Sequence, residues 1–314
     1  MRPTVSIVLF TTTSGVGYGL LMLLGVLGPL GLLPPLRLFG GVVLGVALLL
    51  ITAGLLSSTF HLGHPERAWR AVTQWRSSWL SREGVAALLA YPPALLFAFG
   101  WAALGETGGI WGGLGVLSTL LAVLTVLCTG QIYASLRAVP EWHQPTVTPN
   151  YLLLALAGGA VWLNALVSLF GAANATVAGI AILALALAWC GKLYYWRRIG
   201  RAAPVATAES ATGLGRLGKV RLLESPHWEQ NYLLREMGFE VARRHAEKLR
   251  RIVQAAGFAL PLALIVAAIW LPALAAAVAL LAALSFSLGI VVERWLFFAE
   301  ARHTVQLYYG RAAV

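Results

Sequence analysis

The amino-acid sequence predicts an all-α integral membrane protein with eight transmembrane helices and both termini on the cytoplasmic side. Three observations predict this class. Of the 314 residues, 59% are hydrophobic and the mean hydropathy is +0.77. Only 11% are charged, whereas soluble domains carry about 25%. Finally, eight continuous apolar runs are each long enough to cross a bilayer, which takes about 20 residues.

The runs are continuous rather than alternating, which excludes a transmembrane barrel of strands. The first run is too long for the core of a signal peptide, so we expect it to be retained as a span. Residues 1–314 are therefore interpreted as a single transmembrane bundle. The predicted spans are Val5–Leu27, Leu38–Phe60, Gly84–Leu104, Trp111–Tyr133, Tyr151–Phe170, Ala175–Tyr195, Val253–Trp270 and Pro272–Val292.

The basic residues lie almost entirely on one face of this predicted bundle. Eight spans place both termini and the connections 2–3, 4–5 and 6–7 on the same side, and 22 of the 23 Lys and Arg residues fall there. Arg37 is the exception. The positive-inside rule puts this side, here named the basic face, in the cytoplasm and the protein in the cell inner membrane. The rule also explains the net charge of +11, because Lys and Arg gather at the cytoplasmic ends of the helices. The expected partner is therefore membrane lipid, and no nucleic acid is expected.

The longest connection, residues 192–252, carries 13 of the Lys and Arg residues. It is rich in Gly, Ala and Pro at first and then shows helical spacing from Trp228 to Arg251. We expect it to dock a partner subunit. The alternative to a subunit of a larger complex is a stand-alone carrier of a neutral solute. A pump for charged substrates is disfavoured, because such proteins keep ionisable groups inside the membrane and we expect almost none in these spans. Cys128 and Cys190 are too few to hold an iron–sulfur cluster, which takes about four thiolates.

The connection between the second and third spans, residues 61–83, is the segment richest in functional side chains. Trp69, Val72, Arg76 and Trp79 recur at intervals of three or four, which predicts a short helix lying in the membrane interface. One interpretation of the segment is an aromatic belt with arginines that reach the lipid headgroups.

The other interpretation is a quinone site at the membrane boundary. A neutral His61 can accept a hydrogen bond, and then the proton, from a ring hydroxyl. Glu83, in a medium of low dielectric, can relay that proton to water. His61 and His64 have the spacing of metal or haem ligands on one helical face. All six histidines lie on the basic side outside the spans, however, so a haem fits only at that edge, and no metal site is predicted within the protein.

With these motifs, the chain resembles the membrane anchor subunit of the DMSO reductase family of molybdenum enzymes. The resemblance covers the eight spans and the stretch His-Leu-Gly-x-Pro-x-Arg-Ala-Trp that begins at His61. It also covers the Leu-Ser-x-Glu motif at Leu80–Glu83 and the tail Glu293–Arg311. The stretch Phe10-Thr-Thr-Thr-Ser-Gly-Val-Gly-Tyr-Gly is similar to the branch that includes anchors of cytoplasmic sulfite dehydrogenases.

The resemblance implies an anchor that binds menaquinone or ubiquinone and exchanges electrons with an iron–sulfur subunit. That subunit serves a catalytic subunit with the molybdenum cofactor, so the anchor has no catalytic residues or molybdenum chemistry of its own. The resemblance also implies that haem is absent. It implies either oxidation of a sulfur oxyanion such as sulfite or DMSO-type reduction, and it ties His61 and Glu83 to the quinone. The candidate quinone-binding residues are His61, His64, Arg67, Trp79, Arg82 and Glu83.

Overall fold

The computed structural model describes residues 3–60, 63–202, 204–224, 226 and 244–314. Within these residues the regular secondary structure is helical, apart from one isolated antiparallel bridge between Thr207 and Ala313. Eight helices in this part of the protein are long and apolar enough to cross a membrane, which confirms the predicted class and number of spans. They are α1 Val5–Leu27, α2 Arg37–Thr59, α3 Trp79–Leu104, α4 Gly109–Ala134, α5 Val147–Leu169, α6 Ala175–Arg201, α7 Ala246–Trp270 and α8 Pro272–Ala299.

Several helices extend beyond the predicted spans at their basic-face ends. Helix α3 begins at Trp79 instead of Gly84, and the Ser78 hydroxyl accepts a hydrogen bond from the backbone N–H three residues later as its N-cap. Helix α6 continues to Arg201 and α8 continues to Ala299. The predicted spans ended where charged residues begin. The helices continue because several of these charged side chains are buried and paired with one another.

Helices α1 and α5 form the centre of the bundle and are the most buried of the eight. Helix α1 packs against α2, α4, α5 and α8. Its contact with α5 needs glycine, because a Cβ built at Gly19 would lie 1.8 Å from the carbonyl oxygen of Ala155. Gly159 of α5 likewise faces the backbone of Gly19. Small residues at such crossings let backbones approach closely, which is how helices associate inside a bilayer.

Hydrogen bonds tie together the connections on one end of the bundle. The Ser57 hydroxyl at the end of α2 donates to the carbonyl oxygen of Ser6 at the start of α1, at 3.0 Å. The backbone N–H of Thr304, after α8, donates to the carbonyl oxygen of Ala138, after α4, at 2.9 Å. Val314 pairs with the backbone that follows α6. The first and last described residues therefore lie on the same face, as the even number of spans predicts. The cytoplasmic location of that face stays a prediction.

The connection before α3 differs from the predicted interfacial helix. It forms a 3-10 helix, Pro65–Val72, which is followed by turns, and Trp79 belongs to α3. Arg70 lies over the Trp69 ring at 5.5 Å from its centroid. Residues 61–62 and 227–243 lie outside the described residues, so most of the helix expected between Trp228 and Arg251 is not described.

We expect Gly19→Ala to lower the free energy of unfolding in detergent by about 1–3 kcal/mol, because the added methyl group meets the backbone of α5. The control is Gly179→Ala in α6, where a Cβ meets nothing within 4 Å. Alanine there should leave stability unchanged or raise it, since it is the better helix former. Thermal unfolding followed by circular dichroism measures both variants. Equal melting temperatures for the two would contradict the α1–α5 contact.

Candidate functional site

Glu83 lies one turn inside α3 and points into the bundle, with 4% of its surface exposed. Its carboxylate accepts a hydrogen bond from the hydroxyl of Thr129 in α4. The Thr129 hydroxyl also lies 3.0 Å from the carbonyl oxygen of Thr125. A hydroxyl has one proton and two lone pairs. Thr129 can therefore donate to an ionised Glu83, or accept from a protonated Glu83 while it donates to Thr125.

Three buried tyrosines surround Glu83 from other elements. Tyr18 of α1, Tyr133 of α4 and Tyr151 of α5 are each within electrostatic reach of the carboxylate. The rings of Tyr133 and Tyr151 stack with centroids 5.6 Å apart. Within the described residues, the hydroxyls of Tyr18 and Tyr151 have no hydrogen-bond partner at normal geometry. The interior side of Glu83 therefore presents polar groups, with Thr125 beside the Tyr18 hydroxyl and Arg294 beside the Tyr151 hydroxyl.

A second cluster of ionised groups is buried between α6 and α8. The Glu293 carboxylate pairs with the Lys192 ammonium and with the guanidinium of its neighbour Arg294. Arg294 Nη2 donates to Glu293 Oε1 at 2.7 Å. All three side chains are buried. Two cations share one carboxylate, so this cluster, here named the buried triad, carries a formal net charge of +1.

Aromatic rings pack close to both cations of the buried triad. Lys192 Nζ lies 4.2 Å from the ring centroid of Tyr195, and the Arg294 guanidinium lies 4.4 Å from that of Tyr151. The ring centroid of Phe297 lies 5.5 Å from Lys192 Nζ and 4.8 Å from the Arg294 guanidinium carbon. Cation–π contacts are stronger where water is excluded, as it is here. Tyr151 interacts electrostatically with Glu83 and contacts the guanidinium of Arg294. The groups around Glu83 and the buried triad are therefore neighbours.

These groups lie at a common depth below the basic face. Glu83, Thr129, Tyr151 and Arg294 are each four or five residues from the end of their helix at that face, which is about 6–8 Å along a helix axis. A cavity of about 30 Å³ adjoins them between α1, α4, α5 and α8. The polar residues that line it are Thr11, Thr12, Ser14, Tyr18, Thr129, Tyr151 and Arg294.

Nearer the surface, Glu141 and Glu300 pair with cations at the basic face. Arg302 Nε donates to Glu141 Oε1 at 2.6 Å, and Arg250 Nη2 donates to Glu300 Oε2 at 2.8 Å. Burial raises the pKa of Glu300 above its usual range, and Arg250 opposes this shift. These pairs join the tail after α8 to the connection that follows α4 and to the start of α7.

The predicted site residues before α3 do not converge on one point. His61 lies outside the described residues. His64 is exposed and its Nδ1 lies 3.0 Å from Glu66 Oε1, and the exposed Arg67 has its Nε 3.6 Å from the same oxygen. In the described part of the protein, no hydrogen bond or ion pair joins His64 or Arg67 to Glu83. Glu83 is therefore the predicted residue that points into the interior.

Trp79 and Arg82 form a separate unit in the first turn of α3. The Arg82 guanidinium lies 4.3 Å from the Trp79 ring centroid. Arg82 also donates to the carbonyl oxygens of Trp75, at 2.9 Å, and Arg76, at 2.7 Å. This unit holds the turns before α3 against the helix start, next to the position of Glu83.

The buried triad was missed by the sequence interpretation. The sequence places Lys192 where the sixth predicted span overlaps the following connection, and it places Glu293 and Arg294 in the tail after the eighth span. The expectation that the spans carry almost no ionisable groups is wrong for these positions. A usable signal was present: Glu293 and Arg294 have apolar or aromatic residues on both sides, and aromatic residues follow Lys192.

The positions of possible metal and haem ligands can be stated for the described residues. Among them, no three His, Cys or Glu side chains come together as metal ligands would. The four described histidines, His64, His143, His245 and His303, all lie outside the spanning helices.

Comparison with known proteins gives one family and two relatives. The family described as DMSO reductase anchor subunit (DmsC) matches residues 1–299. The protein is 34% identical over 335 residues to the C subunit of sulfite dehydrogenase from Allochromatium vinosum, across the whole length of both. It is 28% identical over 123 residues to the C component of anaerobic dimethyl sulfoxide reductase from Haemophilus influenzae, a match of 37% of this protein and 42% of that one. No solved structure matches.

We expect Glu293→Gln to destabilise the protein by about 3–5 kcal/mol, because it leaves two buried cations without their counter-ion. The matched control is Glu247→Gln, since Glu247 is exposed at the start of α7. Lys192→Met should cost less, because Glu293 keeps Arg294. Unfolding in detergent, followed by tryptophan fluorescence, measures all three. A Glu293→Gln variant as stable as the control would contradict the triad.

Proposed function

The chain belongs to the DMSO reductase anchor subunit family. On that premise, we propose that it is the membrane anchor and quinone-binding subunit of a molybdenum-dependent sulfite dehydrogenase complex. In this proposal, an iron–sulfur subunit passes electrons from the catalytic subunit to the anchor, where menaquinone or ubiquinone is reduced. The observation that carries the quinone assignment is the buried Glu83, bonded to Thr129 just below the basic face.

Sulfite is proposed as the substrate of the complex from the extent of the match. The identity to the sulfite dehydrogenase relative extends over the whole of both proteins. The match to the dimethyl sulfoxide reductase relative spans less than half of that protein. An anchor that is similar to one relative over its whole length is expected to belong to the same kind of complex.

Reduction of a quinone to a quinol requires two protons as well as two electrons, so the site needs a proton donor at the ring oxygens. A carboxyl group in an apolar setting is such a donor, since low dielectric favours its protonated form. Glu83 is shielded from bulk water inside the bundle, although hydroxyl groups lie near it, and it is one turn from the basic-face end of α3. We assign it the delivery of one proton to a ring oxygen. His61, which precedes it by 22 positions in the sequence, is proposed to hydrogen-bond the ring and to deliver the second proton, to the other ring oxygen.

The remaining candidate residues would form the entrance to this site. Trp79 and Arg82 stack in the same helical turn as Glu83, so they are placed to form one wall. His64 and Arg67 are exposed beside Glu66 and would lie at the rim, where they would meet lipid headgroups or the partner subunit. Their contribution to quinone binding should accordingly be smaller than that of Glu83.

The basic face is proposed to dock the iron–sulfur subunit, on the cytoplasmic side of the inner membrane. A groove of about 850 Å³ opens on this face between the connection after α6 and the tail after α8. Arg221 and Arg311 are among its lining residues. Positive charge of this kind would favour an acidic partner surface. Residues 192–252 would supply the other part of the docking surface.

We expect Glu83→Gln to slow quinone-dependent sulfite oxidation about 10²–10⁴-fold, the usual contribution of a positioned proton donor. Sulfite oxidation with a soluble artificial electron acceptor should be unaffected, since it bypasses the anchor. Glu106→Gln is the matched control, because Glu106 is exposed in the short connection between α3 and α4. Equal quinone-dependent rates for the two variants would refute the role of Glu83. His61→Ala, assayed in the same way, tests the second residue.

We also expect the protein to co-purify with its partners when the neighbouring subunits are co-expressed and the membranes are dissolved in mild detergent. Molybdenum and iron should then be found in constant ratio to this protein by elemental analysis. A lone anchor that moves a neutral solute across vesicle membranes, with no bound metal-containing subunits, would instead support a carrier and contradict the anchor role.

A further inference from the structure

The cavity between α1, α4, α5 and α8 has the size and the lining of a water-binding site. A buried water needs about 10–15 Å³ of such space, so a cavity of about 30 Å³ has room for about two. Hydrophobic cavities stay dry because water loses its hydrogen bonds there. This cavity is different, because hydroxyl groups from three helices and one guanidinium line it.

Two of these hydroxyls, that of Tyr18 near Thr125 and that of Tyr151 near Arg294, have no protein partner at good hydrogen-bond geometry among the described residues. Tyr18 is 2% exposed and Tyr151 is 6% exposed. A buried hydroxyl without a hydrogen-bond partner destabilises the folded protein, because it has lost its bonds to water. Both residues line the cavity, so a water molecule inside it can bond them.

One wall of the cavity is directly connected to Glu83. Thr129 lines the cavity and its hydroxyl bonds the Glu83 carboxylate. Because a hydroxyl can accept one proton while it gives up another, Thr129 can transfer a proton between cavity water and the carboxylate. Arg294 of the buried triad also lines the cavity. Its positive charge disfavours an excess proton in the cavity and favours transfer toward Glu83.

We propose that this cavity is a water site that exchanges protons with Glu83 through Thr129. The proposal rests on the proposed quinone function for its role, though not for the presence of water. Each quinone takes two electrons from the iron–sulfur subunit and two protons. One of these protons passes from water at the basic face through the cavity water and Thr129 to Glu83, which donates its own proton to a ring oxygen.

The presence of water is tested by hydroxyl-radical footprinting of the purified complex, in which X-ray radiolysis of bound water labels the side chains beside it. Tyr18 and Tyr151 should be labelled several-fold faster than Tyr195. Tyr195 is the matched control, since it is 1% exposed, donates its hydroxyl proton to the carbonyl oxygen of Glu141 at 3.1 Å and does not line the cavity. Labelling of all three at the same rate would overturn the water site.

The proton role is tested in the assembled complex with a Ser14→Ala/Tyr18→Phe double variant and with Ser118→Ala as its control. Ser14 and Ser118 are both buried and both donate to the carbonyl four residues earlier, but Ser14 lines the cavity and Ser118 does not. Ser14→Ala, combined with Tyr18→Phe, should slow quinone reduction several-fold and increase its solvent deuterium isotope effect. The Michaelis constant for quinone and the rate with an artificial acceptor should not change. Ser118→Ala should behave as the unmodified protein.

The two proposals fail in different ways. Unchanged turnover and isotope effect in the Ser14→Ala/Tyr18→Phe variant would overturn the proton role even if the cavity is labelled. Full quinone reduction by Glu83→Gln would instead refute the proposed function, and the labelling experiment would still decide whether the cavity holds water.

Discussion

Glu293 is the group on which the arrangement at the basic-face end depends. It neutralises Lys192 of α6 and Arg294 of α8, and without it two cations would be buried with no counter-ion. Buried charge is tolerated in a bilayer only when it is paired or solvated. The pairing links Lys192 of α6 to Glu293 of α8. It also directs Arg294 against the ring of Tyr151 in α5, which places a positive charge beside the cavity.

The glycine contact between α1 and α5 determines the other side of that cavity. Because Gly19 lies against the backbone of Ala155, the two central helices are closer than larger side chains would allow. Just before Gly19, α1 carries short hydroxyl side chains such as Thr12 and Ser14, which bond their own helix backbone. Short side chains leave space that longer ones would fill. Tight packing at one turn and free volume at the next thus arise from the same run of small residues.

The candidate site therefore has two levels. An outer level, the connection before α3, presents exposed His64 and Arg67 at the membrane boundary. An inner level, reached from Glu83, consists of Thr129, the cavity and the buried triad. This arrangement suits a reaction in which electrons and protons must meet at an apolar substrate while they arrive by different paths. In our proposal the electrons come from the docked subunit on the basic face and one proton comes through the interior.

Hydropathy and the placement of Lys and Arg were enough to predict the class, the eight spans and the shared side of the termini, because they are local properties to which a bilayer responds directly. The motifs also indicated the family that the comparisons show, while the role of Glu83 stays a prediction. The burial of Lys192, Glu293 and Arg294 could not be predicted in this way, since a charged residue near a helix end is solvated or paired according to what the neighbouring helices place beside it. The cavity had no sequence signal either. It exists where four helices fail to fill the space between them, and that depends on their packing rather than on any one segment.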